Sequence, residues 1–176
     1  MVAERPKVFI SYSKEDRDSA ASLADALKQR GIEPLVDLAG QSGGDWREEV
    51  EREISQSDAV ICLVSGSANR SRWATREWEL ALTAAWDRPE LRLIPVVEHK
   101  ADPPGFLRDR QWITYSGRGA QPVEWSSIAE EVSTTLAKGG ERDTFYRARA
   151  DEERRAHLER MGVDLAPLVE AESTKK

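Results

Sequence analysis

The chain has 176 residues and a formal net charge of −6, with one third of its residues charged, one cysteine and two histidines. That length suits one domain of ordinary size with an appendage, and the acidic balance argues against nucleic acid as a partner. The lone Cys62 excludes an internal disulfide, His99 and His157 are too widely spaced for a metal site, and no apolar run of about 18 residues offers a membrane span.

The first residues, Met-Val-Ala-Glu-Arg-Pro, lack the apolar core of a signal peptide, so the cytoplasm is the expected compartment. Residues 7–11, Lys-Val-Phe-Ile-Ser, form a β-rich run without a turn residue and predict strand one. Ser13 is a candidate cap for a helix with Glu15 and Asp16 in its first turn. Ala20, Leu23, Ala24 and Leu27 recur at helical spacing, and Gly31 ends that helix. Residues 32–36 predict strand two, and Pro34 places it at an edge because proline lacks a ladder donor.

Residues 37–45 form a Gly-rich loop that lacks the Gly-Lys-Ser/Thr ending of a phosphate-cradling loop. Asp45 is a candidate cap for a helix carrying Trp46, Val50 and Ile54. Residues 59–64 read as a buried central strand, with Cys62 a buried thiol. A helix follows from about residue 71 to Asp87, stopped by Arg88-Pro89. Residues 91–97 predict strand four. A Pro/Gly loop spans 101–105, Phe106 and Leu107 suit a short helical turn, and 112–115 predict a short fifth strand. After a Gly-rich loop at 116–122, Trp125, Ile128, Ala129, Val132 and Leu136 predict a last helix closed by Gly139-Gly140. Trp112 and Trp125 are expected in the core, and Trp78 and Trp86 as core or interface anchors.

Strands alternating with helices imply βαβ crossovers and a mainly parallel sheet. Residues 141–161 are rich in Arg, Glu, Asp and Ala and read as a mostly solvated helix, with a frayed tail from Glu170.

The helix from residue 71 carries the densest chemistry. Trp73 and Glu77 stand at i and i+4, on one face and one turn apart. Glu79 lies about 200° round the helix from Glu77 and reads as a surface charge. By spacing alone, a Glu near a helix start is a solvated charge favoured by the helix dipole. The preceding central strand puts this ring and acid at a strand's carboxyl edge, where open α/β sheets bind ligands.

Several motifs occur together and in order. Residues 7–13, Lys-Val-Phe-Ile-Ser-Tyr-Ser, lead to Glu15-Asp16. Residues 31–37, Gly-Ile-Glu-Pro-Leu-Val-Asp, lead to a Gly-rich loop ending in Asp45-Trp46. Residues 54–58, Ile-Ser-Gln-Ser-Asp, lead into strand three, and Ser71, Trp73 and Glu77 open the next helix. In this combination, over about residues 5–137, the chain resembles a TIR (Toll/interleukin-1 receptor) domain, and most closely the bacterial NAD-cleaving type.

The resemblance implies a flavodoxin-like α/β fold: a five-stranded parallel sheet with helices on both faces, at 5–137, with 141–176 as a charged helical extension outside it. It implies an NAD+ nucleosidase that cleaves the nicotinamide–ribose bond to give ADP-ribose or a cyclic ADP-ribose isomer. Glu77 would be the catalytic residue, with Ser11, Tyr12, Trp46, Ser71 and Trp73 lining the pocket. Asp37, Gly43, Gly44 and Asp45 would belong to an assembly loop. NAD+ is then a substrate, with no permanently bound cofactor and no metal. Further implications are self-association through TIR–TIR contacts, a separate activator or effector protein, and a role in anti-phage signalling. The alternative is a non-catalytic TIR scaffold. Two other readings share the fold: a phosphoacceptor receiver domain, disfavoured because strand three ends Leu-Val-Ser without an Asp, and a nucleoside deoxyribosyltransferase.

Overall fold

A computed structural model describes residues 5–36, 46–66, 72–88, 90–104, 107, 112–116, 122–138 and 156. The chain divides into two units, 1–139 and 140–176. Of the second only Ala156 is described, and it is helical. The assembly loop at 37–45, Ser71 and nearly all of the C-terminal extension lie outside the described residues.

The first unit is a five-stranded parallel sheet in the order β2-β1-β3-β4-β5. In chain order its elements are β1 (Lys7–Ser11), a 3-10 turn (Lys14–Asp16), α1 (Arg17–Gln29), β2 (Glu33–Leu35), α2 (Trp46–Ser55), β3 (Ala59–Val64), α3 (Arg72–Asp87), β4 (Arg92–Glu98), β5 (Ile113–Tyr115) and α4 (Trp125–Ala137). This is the flavodoxin-like α/β arrangement expected from the sequence. The two short strands, one of them carrying Pro34, are the edges.

Side-chain alternation along the strands divides the core in two. Val8, Ile10, Ala59, Ile61, Leu63, Ile94 and Val96 pack with Leu23 and Leu27 of α1 and Ile128 and Val132 of α4. Phe9, Val60, Cys62, Val64, Leu93 and Val97 pack with Val50 and Ile54 of α2 and Trp78 and Ala81 of α3. All six residues of β3 are buried, which explains its unbroken apolar sequence. Cys62 is a buried thiol.

α1 ends in a Schellman motif. Gly31, at φ +75°, donates its N–H to Lys28 O, and Ile32 N–H reaches back to Leu27 O. Ile32 and Leu27 also share the same core cluster.

Three expectations need correction. Ser13 does not cap α1: its hydroxyl donates to the Asp16 carboxylate, while its carbonyl takes the Asp16 N–H and so makes a 3-10 turn before the helix. Trp112 is not in the core. β5 begins one residue later, and the Trp112 side chain is 39% exposed. Trp125 is only half-buried, set against Tyr115 with ring centroids 5.3 Å apart.

Candidate functional site

β1 pairs with β2 on one side and with β3 on the other, so the strand order reverses at β1/β3. The connections leaving these two strands diverge to opposite faces of the sheet, α1 to one and α3 to the other. Such a switch point opens a crevice beyond the strands' carboxyl ends.

Glu77 reaches this edge from the second turn of α3. It is 7% exposed, and Ser11 Oγ donates to its Oε2 across 2.5 Å. The sheet's pleat brings them together. Ser11 is two residues after Phe9, so it shares the face that α3 covers, and Trp78 and Ala81 seat α3 on that face. A carboxylate so deeply buried needs hydrogen-bond donors to stay charged, and Ser11 supplies one. Held there, it can stabilise positive charge developing on a ligand or orient a ligand hydroxyl.

Tyr12 follows Ser11 and points to the opposite face, half-buried against the α1/α4 cluster. Trp46 and Trp73 stand in the first turns of α2 and α3, but their side chains are not among those described.

A second buried carboxylate stands at the same edge. Asp16 is 4% exposed at the start of α1, and its Oδ2 accepts from both Ser13 Oγ and Ser65 Oγ at 2.5 Å each. The sequence marks it only as a first-turn acid and as part of the Glu15-Asp16 motif. Only the later Ser65, at the end of β3, could have pointed to burial, and nothing in the spacing links residues 49 apart. The helix N-terminus favours negative charge at this place. A third acid, Glu98 at the end of β4, accepts the Gly66 N–H on Oε2 at 3.0 Å.

A separate groove of about 270 Å³ lies between the end of β5 and the start of α4, lined among others by Tyr115, Ser116, Glu124 and Glu131. It shares no residue with the Ser11–Glu77 pair. Among the described residues no group of three or more His, Cys, Asp or Glu is arranged to hold a metal ion, and no helix is long and apolar enough to cross a membrane.

Comparison with known proteins places this architecture. The TIR domain of a Toll-related receptor, TRR-2, from Hydra magnipapillata superposes with a TM-score of 0.56 at 20% identity, covering 72% of this chain and 97% of that one. The Clostridium botulinum CMP N-glycosidase BcmB superposes at 0.52 with 18% identity, covering 74% and 99%. At these identities the likeness concerns the fold. No curated protein matches the sequence. A family model for the TIR domain matches residues 8–131, well over half of the chain, and the chain belongs to the TIR domain family.

Proposed function

We propose that this TIR domain is an NAD+ nucleosidase whose catalytic residue is Glu77. The observation that carries the reading is the buried Glu77 carboxylate at the β1/β3 switch point, tied to Ser11 by a 2.5 Å hydrogen bond. Glycoside hydrolysis ordinarily needs two carboxyl groups, one of them to protonate the leaving group. Nicotinamide departs from a pyridinium as a neutral molecule and needs no proton. One carboxylate is therefore sufficient to stabilise the oxocarbenium-like ribose and to orient the acceptor. Water as acceptor gives ADP-ribose, and a nucleophile within the same molecule gives a cyclic isomer. Trp46 and Trp73 are the proposed stacking platforms, each worth roughly 1–3 kcal/mol if it meets a base, with Ser71 near Trp73 in the chain and Tyr12 on the α1 side of the crevice. That BcmB is an N-glycosidase is in keeping with this fold hosting cleavage at a ribose anomeric carbon.

Activity is proposed to depend on self-association through the 37–45 loop, with Asp37, Gly43, Gly44 and Asp45, and to serve bacterial defence signalling in the cytoplasm. The burial of Glu77 agrees with a site that opens only on assembly. The same burial favours one second reading, in which Ser11–Glu77 is a structural tie in a non-catalytic scaffold. Loss of NAD+ and release of nicotinamide, measured across a wide range of protein concentrations, separate the two. The enzyme shows activity rising faster than linearly with concentration and absent in Glu77→Gln. A scaffold shows no turnover in either protein while retaining self-association.

A further inference from the structure

β3 ends at Val64, and the next two residues are held from two sides, by the turn that follows β1 and by the end of β4. On the β1 side, Asp16 takes the Ser65 hydroxyl. On the β4 side, Glu98 takes the Gly66 N–H. The register explains the second bond. Val64 lies opposite Val97 at the last paired position, so beyond it the ladder ends and the Glu98 side chain stands in for a backbone acceptor.

Among the described residues, nothing in the fold requires glycine at position 66. Its φ is not in the left-handed region, and among the described residues an added Cβ would meet nothing within 4 Å. It is exposed, at the carboxyl end of the strand that borders the switch point. Glycine is the residue used where a ligand must approach the main chain closely.

We infer that Ser65–Gly66 is a clamped, bare-backbone wall of the crevice against which the nucleotide lies, and that Glu98 is the positioning residue that holds it. The inference takes the ligand's identity from the function proposed above. Glu98 touches no reacting atom; it acts through Gly66, with Asp16 fixing the preceding residue.

The test uses the full chain, with NAD+ as the probe. Gly66→Ala adds one methyl group where the fold has room. Its melting temperature is unchanged or higher, because alanine loses less backbone entropy on folding. Its KM for NAD+ rises roughly tenfold while kcat stays within about twofold. Glu98→Ala raises KM in the same direction and speeds hydrogen exchange of the Gly66 amide, with the β3 amides unchanged. Glu98→Gln keeps an oxygen acceptor and restores both. A merely structural role moves neither readout in this way, since a smaller folded fraction lowers apparent kcat and leaves KM alone. An unaltered KM in Gly66→Ala, or unaltered Gly66 exchange in Glu98→Ala, overturns the inference. If the wild type turns over no NAD+, the enzymatic reading falls by itself. Calorimetry of NAD+ on wild type and Gly66→Ala then decides the wall: weaker binding by the variant supports it, and equal or absent binding overturns it.

Discussion

Ser11 and Glu77 are 66 residues apart in the chain and 2.5 Å apart in the fold. β1 delivers the hydroxyl and α3 the carboxylate, and the two meet only because the pleat turns Ser11 toward the α3 face. Glu77→Gln retains an acceptor for Ser11, so it should fold normally and release no nicotinamide. Ser11→Ala should fold and keep a residual rate. A hydrogen bond to a charged group is worth about 1.5–3 kcal/mol, so nicotinamide release should fall about ten- to hundredfold. Circular dichroism beside a nicotinamide assay checks both. Full activity in Ser11→Ala would show that the hydroxyl does not orient the acid.

Much of this fold was legible in the sequence, and for physical reasons. The unbroken apolar run of β3 suits a strand buried on both faces, and Pro34 suits the edge it occupies, although Pro95 sits inside the interior strand β4 and shows that a proline does not dictate an edge. Glu77 and Ser11 were both legible as candidates through their motifs, but the hydrogen bond between them was not, because no local rule relates Ser11 to α3. The burial of Asp16 was not legible for the same reason: it goes with the contact to Ser65, which the topology brings from the end of β3. Trp112 failed differently. A bulky aromatic beside a short apolar run reads as core, yet β5 is only three residues long and leaves it outside.

Gly31 offers a test of the backbone alone. At φ +75° it closes the α1 Schellman motif, and a Cβ there would touch nothing within 4 Å among the described residues. Gly31→Ala therefore adds no clash. The cost is the left-handed conformation itself, about 1–2 kcal/mol, which should lower the melting temperature by about 2–8 °C. Gly31→Asn should lose less, since asparagine tolerates that region. An alanine variant as stable as the wild type would show that the chain end of α1 has other ways to close.

Arg88 ties two helices together at their C-terminal ends. It follows α3, and its guanidinium donates to Ile54 O at 3.0 Å, Ser55 O at 2.8 Å and Ser57 O at 3.0 Å, at and just beyond the last turn of α2. Helix C-termini leave carbonyls without partners and carry partial negative charge, so a half-buried guanidinium satisfies both needs. Arg92 serves α4 in the same way through Thr135 O and Leu136 O. Arg88→Ala should cost about 2–3 kcal/mol in urea unfolding. Arg88→Lys should recover only part, because one ammonium cannot span the three carbonyls. The Arg88–Glu90 ion pair is different. Its Glu side chain is 68% exposed, and Glu90→Ala should change stability by no more than about 0.5 kcal/mol. A larger loss from Glu90→Ala than from Arg88→Ala would reverse this account.

The C-terminal extension provides the last test. Among the described residues, every member of both core clusters lies between Val8 and Leu136, and the chain divides at Gly139/Gly140. Two of the last α4 carbonyls, Thr135 O and Leu136 O, are met by Arg92 of β4 rather than by the extension. Truncation after Gly140 should therefore give a folded protein whose melting temperature lies within a few degrees of the full chain. The nicotinamide assay on the same protein then assigns the extension's role. Unchanged concentration dependence makes it dispensable for the proposed assembly. A steeper requirement for protein concentration makes it an oligomerisation arm, and a gain in activity makes it an inhibitor. An insoluble or unfolded truncation would place part of residues 141–176 in the core and move the domain boundary.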